Sequence, residues 1–368
     1  MLLSKSFRQH PRVYREALAL ERQGHGVTVL EWARHIPTAP VEERIEGIRV
    51  VRFRSTVAMN ALPNALFQNP LWWRQAVREG LRLHQEESFD VVHCHDLDTL
   101  PAGVQLRRKT GARLVYDAHE IFSYMIEEDY PRPVATAAEA MERALLPSVD
   151  HLITVNEALR DFYRAWASCP ISVVMNCAEP TPRYVPPTAE DFTLSYIGVL
   201  HHSRFFPQAV EALGTMPGLR FVIAGKQEAG YAEVERLARG YPSVEFLGTI
   251  PVTEVLPRTL EGHAVLCLFD PRHRINQVGS PNKMYEAMAT GRPIIVSKGT
   301  YSGDFVTRHG FGLAIDYRGD ALRQAVAELR DEPEARRAMG QRGLALAHQE
   351  YNWDAQAAHL LAVYAGLT

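Results

Sequence analysis

The stretch Gly279–Ser297 restricts the fold of this chain more than any other, and it reads G-S-P-N-K-M-Y-E-A-M-A-T-G-R-P-I-I-V-S. Ser280 has a side chain suited to capping a helix, and Pro281 fits the first turn, where no backbone N–H partner is needed. Gly291 can adopt the left-handed conformation that ends a helix. The apolar, β-branched run Pro293–Ser297 then predicts a buried strand. A capped helix followed at once by such a strand indicates an α/β protein.

The side chains along this helix divide into two faces. Lys283, Glu286 and Thr290 share one face, because residues three and four positions apart lie on the same side of a helix. Met284 and Ala287 belong to an apolar face suited to packing on a sheet. The amino end therefore offers free N–H groups and a lysine to an anion, with a carboxylate one turn later. A nucleoside diphosphate has the matching polarity, since its phosphates are anionic and its ribose diol can bind a carboxylate.

Strands and helices alternate along the chain, with one interruption near residue 180. The predicted strands are near-continuous runs of Val, Ile and Leu, which is typical of parallel sheets covered on both faces. Glu179–Asp191 contains four prolines and is predicted to be an extended linker. We therefore predict two doubly wound domains, residues 1–178 and 192–350, with ligands bound in a cleft between them at the carboxyl ends of the strands. The longer predicted strands are Val27–Trp32, Ile48–Phe53, Val91–His95, Arg113–Tyr116, His151–Val155, Ile171–Met175, Phe192–Gly198, Leu219–Gly225, Val244–Gly248, Ala264–Asp270, Pro293–Ser297 and Gly312–Asp316.

The composition is that of a globular protein and excludes several functional classes. Apolar residues make up 46% and charged residues 23%, and a formal net charge of −3 argues against nucleic-acid binding through a basic surface. The four cysteines lie far apart without a paired metal spacing, so they are interpreted as reduced thiols. No apolar run approaches the roughly 18 residues of a membrane span. These features predict a cytoplasmic protein and leave attachment to a membrane surface open.

The string N-K-M-Y-E-A-M-A-T-G-R-P at residues 282–293 resembles the nucleotide-sugar helix of retaining glycosyltransferases with the GT-B fold, family 4 in particular. The resemblance implies that Glu286 holds the donor ribose and that backbone amides just before it hold the diphosphate. The chain departs from the family at Val278, which replaces a glutamate that usually contacts the donor sugar. A cap and one ion pair without the whole string would indicate only an ordinary amphipathic helix. The donor-binding residues predicted in this segment are Ser280, Pro281, Asn282, Lys283, Met284 and Glu286.

A second match lies in the loop Tyr196–Arg204, after the first strand of the second domain. The family carries an arginine directly after the loop glycine and a lysine or arginine five positions further on, both of which clamp the diphosphate. Val199 replaces the first of these, and Arg204 fits the second. Arg204 and Lys283 are therefore predicted to stabilise the leaving diphosphate, with a surface arginine at a helix start as the alternative for Arg204. The resemblance also implies donor contacts at Gly198, Gly225, Lys226 and Ile250.

In the first domain, the strand end L-V-Y-D-A-H-E at residues 114–120 resembles the family loop whose histidine meets the donor sugar. His119 is therefore predicted to contact the transferred sugar, and a strand-end histidine bonded to backbone is the alternative. The acceptor-side candidates are Arg12, His95, Asp117 and Glu120. Histidines at 93, 95, 201 and 202 are metal-ligand residue types, but GT-B transferases need no metal. The resemblance thus implies neither a metal nor a cofactor.

The resemblance implies a GT-B fold with two Rossmann-like domains facing across a cleft, and a final helix at 351–368 that packs back on the first domain. It implies a retaining, metal-independent enzyme that transfers a hexosyl unit from a UDP- or GDP-linked sugar to a hydroxyl acceptor. The acceptor would be a glycan, a lipid-linked saccharide or a small metabolite. A nucleotide-sugar epimerase or hydrolase is one alternative. A non-catalytic nucleotide-sugar-binding relative is another, because of Val199 and Val278.

The segment 59–82 has two features of a membrane-surface helix. It carries Trp72 and Trp73 within an apolar run, followed by Arg74 and Arg78. A basic flank beside tryptophans suits an interfacial helix on anionic lipid, which predicts peripheral contact with the inner membrane face. The alternative, which we prefer, is a helix that packs its tryptophans into the first domain.

Overall fold

The computed structural model describes residues 1–32, 41–62, 65–127, 129–228 and 230–367. The chain divides into two compact units. Unit 1 comprises Met1–Met175 together with Ala357–Thr368, and unit 2 comprises Asn176–Gln356. Each unit contains one sheet with helices between its strands, so both are α/β domains.

The sheet of unit 1 collects the strands of the first half of the chain. They are β1 (Leu2–Leu3), β2 (Thr28–Trp32), β3 (Glu42–Ile45), β4 (Ile48–Phe53), β5 (Val91–His95), β6 (Arg113–Ala118), β7 (His151–Thr154) and β8 (Ile171–Val173). Their order is β3-β4-β2-β1-β5-β6-β7-β8, and all neighbours are parallel except the pair β3 and β4. Leu2 and Leu3 lie in two different apolar clusters, because successive residues of a strand point to opposite faces. The sheet is therefore covered on both faces, as predicted.

Helices connect these strands and bury their apolar sides. Those of unit 1 are α1 (Pro11–Arg22), α2 (Val57–Asn60), α3 (Ala65–Glu86), α4 (Leu100–Thr110), α5 (Phe122–Ile126), α6 (Arg132–Leu145) and α7 (Glu157–Arg164). Pro11 stands at the first helical position of α1, where its missing N–H costs nothing. Val13, Ala17 and Leu20 are buried, and their spacing of three and four residues places them on one face of this helix.

The sheet of unit 2 is fully parallel among its described strands. They are β9 (Phe192–Ile197), β10 (Leu219–Ala224), β11 (Val244–Gly248), β12 (Ala264–Cys267), β13 (Ile294–Ser297) and β14 (Gly312–Ile315), in the order β11-β10-β9-β12-β13-β14. The helices of unit 2 are α8 (Gln208–Leu213), α9 (Tyr231–Ala238), α10 (Val255–Glu261), α11 (Arg274–Val278), α12 (Asn282–Thr290), α13 (Tyr301–His309), α14 (Gly319–Asp331) and α15 (Pro333–Gln349). The last helix, α16 (Trp353–Ala365), belongs to unit 1 from Ala357 onward. The described residues between β8 and β9 form neither helix nor strand.

Helix α12 starts slightly later than its sequence suggests. Pro281 has extended backbone angles and occupies the N-cap position itself, so the predicted capping role of Ser280 is wrong. Met284 and Ala287 are fully buried, which confirms the predicted packing face. Gly291 ends the helix with φ 63°, and the predicted left-handed terminus is confirmed.

Candidate functional site

The first group of candidate residues lies at the carboxyl end of the sheet in unit 1. Strands β5 and β6 are parallel neighbours, and their register places His95 opposite Asp117. Helix α1 follows the carboxyl end of β1, which pairs with β5, and this brings Arg12 and Glu16 to the same edge. We call the following set the histidine cluster: His10, Arg12, Glu16, His93, His95, Asp96, Asp117 and His119.

A buried ion pair between Arg12 and Asp117 forms the centre of the histidine cluster. Nε and Nη2 of Arg12 donate to the two carboxylate oxygens of Asp117, each at 2.9 Å, and Nη1 donates to the Val174 carbonyl at 2.7 Å. Burial works against the ionised form of Asp117, but Arg12 and His119 outweigh it and hold its pKa well below the usual range. Arg12 is only 3% exposed, so its guanidinium orients groups inside the unit rather than reaching outward.

His119 lies between two carboxylates. Its Nε2 is 2.8 Å from Oδ2 of Asp117, and its Nδ1 is 3.4 Å from Oδ1 of Asp96. Burial disfavours the charged imidazole, but Asp96 and Asp117 together raise the pKa of His119 to about 9. The ring is therefore an imidazolium near neutral pH. Because 3.4 Å is long for a hydrogen bond, the Nδ1–H is the donor that a ligand could engage.

The other histidines of the cluster are neutral. Burial lowers the pKa of His95 to about 4 and that of His93 well below its ordinary value. The two rings stack with centroids 4.3 Å apart, and His93 Nδ1 is 2.9 Å from the hydroxyl of Tyr364 on α16. Burial, followed by the charge of His119, lowers the pKa of His10 to about 3. One charged imidazole is thus surrounded by neutral ones.

Four members of this cluster were not among the predicted site residues: His10, Glu16, His93 and Asp96. Glu16 is completely buried with Oε1 3.0 Å from Arg12 Nε, and its spacing of four residues from Arg12 was the available signal. Asp96 has a φ of 63°, a left-handed value that is rare outside glycine and recurs at functional sites. No sequence pattern predicts that backbone angle. Glu120, which was predicted on the acceptor side, lies one residue beyond His119 and is exposed.

Two subsets of the cluster have the atoms that a metal site needs. The ligand atoms of Glu16, His93, His95 and Asp117 lie within 4.8 Å of one another, and so do those of His10, Asp96 and His119. In the first subset the Arg12 guanidinium already supplies the positive charge, and in the second His119 itself is the cation. We therefore assign no metal ligands here, and the absence of a metal requirement stays a prediction.

The second group of candidate residues lies at the carboxyl end of the sheet in unit 2. Gly198 and Arg204 follow β9, and Phe269 and Asn276 follow β12, which is paired with β9. Lys283 and Glu286 occupy the first two turns of α12. We call this set the lysine–arginine cluster: Gly198, Arg204, Phe269, Asn276, Lys283 and Glu286.

Lys283 is held against the loop that follows β9. Its Nζ lies 4.7 Å from the ring centroid of Tyr196, and burial lowers its pKa below the ordinary value. A Cβ atom at Gly198 would come within 2.4 Å of this Nζ, and Gly198 has a φ of 155°. Glycine is therefore required here so that the ammonium group can approach the backbone. Glu286, one turn later and half-buried, favours the charged lysine.

Arg204 is fixed by two residues that sequence reasoning did not single out. Its guanidinium stacks over the Phe269 ring at 3.8 Å, and its Nη1 donates to Oδ1 of Asn276 at 2.9 Å. Asn276 is buried and donates in turn to the carbonyl of Asp270 at 2.9 Å. The arginine is thus held in one orientation at low entropic cost, which favours binding of an anion. Asn276 lies in a five-residue helix without a recognisable motif.

The other residues predicted to bind the sugar donor differ in their packing and exposure. Gly225 packs so closely that a Cβ atom would come within 2.8 Å of the Gly198 carbonyl, whereas Lys226 is exposed. Ile250 is half-buried after β11. Met284 points into the core, and its amide donates to the Pro281 carbonyl at 3.0 Å.

Asn282, the first residue of α12, is exposed, and its side-chain oxygen accepts a hydrogen bond from Asn176 at 2.7 Å. Ser280 and Pro281 precede it with non-helical backbone. The structure thus brings Gly198, Arg204 and Lys283 together with the amino end of α12.

Two models of known protein families match the sequence. Residues 9–177 match the family model for a glycosyl transferase 4-like domain, and residues 191–332 match the model for glycosyl transferases group 1. No curated protein matches the sequence.

Solved structures of other proteins have a fold similar to that of this chain. Sucrose-phosphate synthase from Thermosynechococcus elongatus is 18% identical with a TM-score of 0.82, over 99% of this chain and 94% of that one. HepE from Anabaena, solved in complex with UDP and glucose, is 14% identical with a TM-score of 0.72, over 99% and 98%. WaaG, a glycosyltransferase involved in lipopolysaccharide biosynthesis, is 13% identical with a TM-score of 0.70, again over 99% and 98%. The predicted GT-B fold is confirmed.

The two family matches cover most of each unit, and each contains one of the clusters described above. The chain therefore belongs to the GT-B glycosyltransferases of the group 1, family 4 type.

Proposed function

We propose that this protein is a retaining, metal-independent glycosyltransferase that moves a hexosyl unit from a UDP- or GDP-linked sugar to a hydroxyl acceptor. The observation that carries the proposal is the lysine–arginine cluster at the amino end of α12. Lys283 and Arg204 offer two cations, and the first turn of the helix offers N–H groups, to one diphosphate. Glu286, one turn further on, is placed to accept hydrogen bonds from the ribose diol.

The proposed chemistry requires stabilisation of a leaving group. The bond between the sugar C1 and the diphosphate oxygen breaks, and a bond from the acceptor oxygen to C1 forms on the same face. The acceptor proton passes to the departing phosphate oxygen, so no protein nucleophile is needed. The departing nucleoside diphosphate gains about one negative charge, and Lys283 and Arg204 then bind it more tightly than before. His119 donates from Nδ1 to the transferred sugar.

The proposal names the donor and the acceptor only by their chemical classes. HepE was solved with UDP-glucose, which makes this sugar the first donor to test. A thermal-shift panel of UDP- and GDP-sugars identifies the donor, because a ligand that binds the folded state raises the melting temperature. The acceptor classes that we propose are a glycan, a lipid-linked saccharide and a small metabolite. No residue outside the two clusters is assigned to acceptor recognition.

Replacement of Glu286 by alanine is expected to weaken donor binding by about 10-fold or more, because hydrogen bonds to a charged group contribute about 1.5–3 kcal/mol. Isothermal titration calorimetry with the donor that gives the largest thermal shift measures this change. Glu334, exposed at the start of α15, provides a matched Glu→Ala control that should bind like the native chain. Equal affinity of all three proteins would contradict the ribose role.

Two alternatives are separated by incubation with donor alone and with acceptor. An epimerase or hydrolase on this fold turns over the donor at its full rate without acceptor, whereas a transferase does so only slowly. A non-catalytic relative binds the donor and yields no product with any acceptor. Val199 and Val278, which replace charged residues of the family, keep this second alternative open.

Peripheral membrane contact is the remaining part of the proposal. Trp72 is buried and Trp73 Nε1 donates to the Asp98 carbonyl at 2.6 Å, which confirms that the tryptophans pack inside unit 1. Phe67 and Leu71 are instead exposed on one face of α3, in line with Arg74 and Arg78. Residues 63 and 64 of the predicted segment lie outside the described residues. None of the described helices has the length and apolar character needed to cross a bilayer.

We expect the native chain to sediment with phosphatidylglycerol vesicles more than with phosphatidylcholine vesicles. A double change, Phe67→Ser with Leu71→Ser, should reduce sedimentation several-fold by removing the apolar contact. Val252→Ser removes a similarly exposed apolar side chain from unit 2 and serves as the control. Identical sedimentation of the double variant and the native chain would contradict contact through this face.

A further inference from the structure

Glu16 is a buried acid to which the proposed reaction gives no role. It lies on α1 one turn after Arg12 and is inaccessible to solvent. Its Oε1 approaches Arg12 Nε at 3.0 Å, but the N–H groups of Arg12 are directed at Asp117. Among the residues that the structure describes, none donates a hydrogen bond to either carboxyl oxygen of Glu16. An ionised carboxylate in this place would lack the donors that a buried charge needs.

The charges of the histidine cluster already balance without Glu16. Arg12 and His119 are the two cations, and Asp96 and Asp117 are the two anions. An ionised Glu16 would add a third negative charge to the two cations of this cluster, beside Asp117. Two carboxyl groups that share one guanidinium do not both ionise when buried, and Asp117 makes the better hydrogen bonds. Burial raises the pKa of Glu16 to about 8 in spite of Arg12.

We propose that Glu16 is a positioning residue that, as a neutral acid, donates its proton to Asp117 and thereby completes the set of donors that fixes Asp117 against His119. Carboxyl oxygens of the two residues lie within 4.8 Å of each other. A hydrogen bond to Asp117 is also one of the causes that raise the pKa of Glu16. Asp117 then receives hydrogen bonds from Arg12, His119 and Glu16 together. Its Oδ2 is held in the position that keeps the His119 ring in place, so the inference rests on the role proposed for His119.

Among the described residues, the charged and titratable groups that face Glu16 lie on its own helix, on β5, on β6 and directly after it, and on α16. None of them is an exposed base that would remove its proton near neutral pH. They are Arg12 on α1, His93 and His95 on β5, Asp117 on β6, His119 directly after β6, and Tyr364 on α16. The proton should therefore leave Glu16 only as the pH rises through about 8.

Infrared difference spectroscopy between the native full chain and Glu16→Gln tests the protonation directly. We expect the native chain to show, at neutral pH, the carbonyl band of a protonated carboxyl group that the variant lacks. This band should fade as the pH rises above about 8. A difference spectrum that contains only bands of an ionised carboxylate would overturn the proposal. The measurement needs no turnover, so its failure is distinct from failure of the proposed function, which inactivity of the native chain with every donor would reveal.

Kinetics test the positioning role. Glu16→Ala, which removes the donor, is expected to lower kcat/KM about 10–100-fold, as is usual for supporting residues around a site. Glu16→Gln keeps a hydrogen-bond donor and should recover most of this loss. At pH 7, where Glu16 is protonated, the nuclear magnetic resonance signals of the His119 ring should shift in the alanine variant and change less in the glutamine variant. Equal losses of activity in both variants would contradict donation by Glu16.

Discussion

Replacing Lys283 with methionine is expected to lower kcat by a factor of about 10²–10³, with a smaller effect on donor affinity. The ammonium group lies beside Gly198 at the amino end of α12, where the departing diphosphate gains charge. Its contribution therefore grows between the bound donor and the transition state. Because Val199 and Val278 cannot contribute charge, Lys283 and Arg204 would share this stabilisation between them. Methionine preserves an unbranched apolar side chain but removes the charge.

Steady-state kinetics at saturating donor measure this effect, and calorimetry measures the affinity separately. Lys109→Met, an exposed change at the end of α4 in unit 1, is the matched control and should retain native rates. Removal of uniform binding energy would raise KM and leave kcat unchanged. That result for Lys283→Met would remove the lysine from the leaving-group role and leave it as a ground-state contact.

Replacing Asp96 with asparagine is expected to move the alkaline limb of the pH–rate profile to lower pH by about 1–3 units. Burial disfavours the charged ring of His119, and Asp96 contributes most among the charges that raise its pKa to about 9. Asparagine tolerates the left-handed backbone of this position, so the change removes the charge with little strain. Rates of the variant at pH 8 should fall roughly tenfold relative to its rates at low pH.

The stability of the native chain should follow the same titration. The pKa of His119 is about 9 in the folded chain and 6.5 in the unfolded chain, so the folded state binds the proton more tightly. Its contribution to the free energy of unfolding is complete below pH 6.5 and is lost as the pH rises through about 9. Asp90→Asn, at the exposed opposite end of β5, is the control for both measurements. An alkaline limb that stays in place in Asp96→Asn would show that His119 does not act as a cation.

Much of the fold follows from local patterns along the chain. Strands β5 and β11 have the predicted bounds, because short apolar runs that end at polar residues or glycine mark buried parallel strands. Helix α12 ends at Gly291 as predicted, since only glycine adopts that backbone readily. Strand β3 was missed because its sequence, Glu-Glu-Arg-Ile, is polar, and it forms by antiparallel pairing with β4.

In the candidate site, too, local sequence patterns predict some features, whereas others depend on tertiary contacts. Lys283 and Glu286 could be placed from helix periodicity, and His119 from its place after a buried strand. The burial of Arg12 could not, because it depends on strands that lie about one hundred residues away along the chain. The contact of Asn276 with Arg204 likewise joins helix α11 to the segment after β9, and the pairing of β9 with β12 brings these two parts of the chain together. Long-range contacts of that kind produce no recognisable pattern in the sequence near either residue.

A crystal structure of the full chain with bound UDP tests the central claim most directly. We predict a diphosphate within hydrogen-bonding distance of Lys283 Nζ and Arg204 at the amino end of α12, with the ribose hydroxyls on Glu286. Nucleotide density at any other place, with these three side chains uncontacted, would contradict the account.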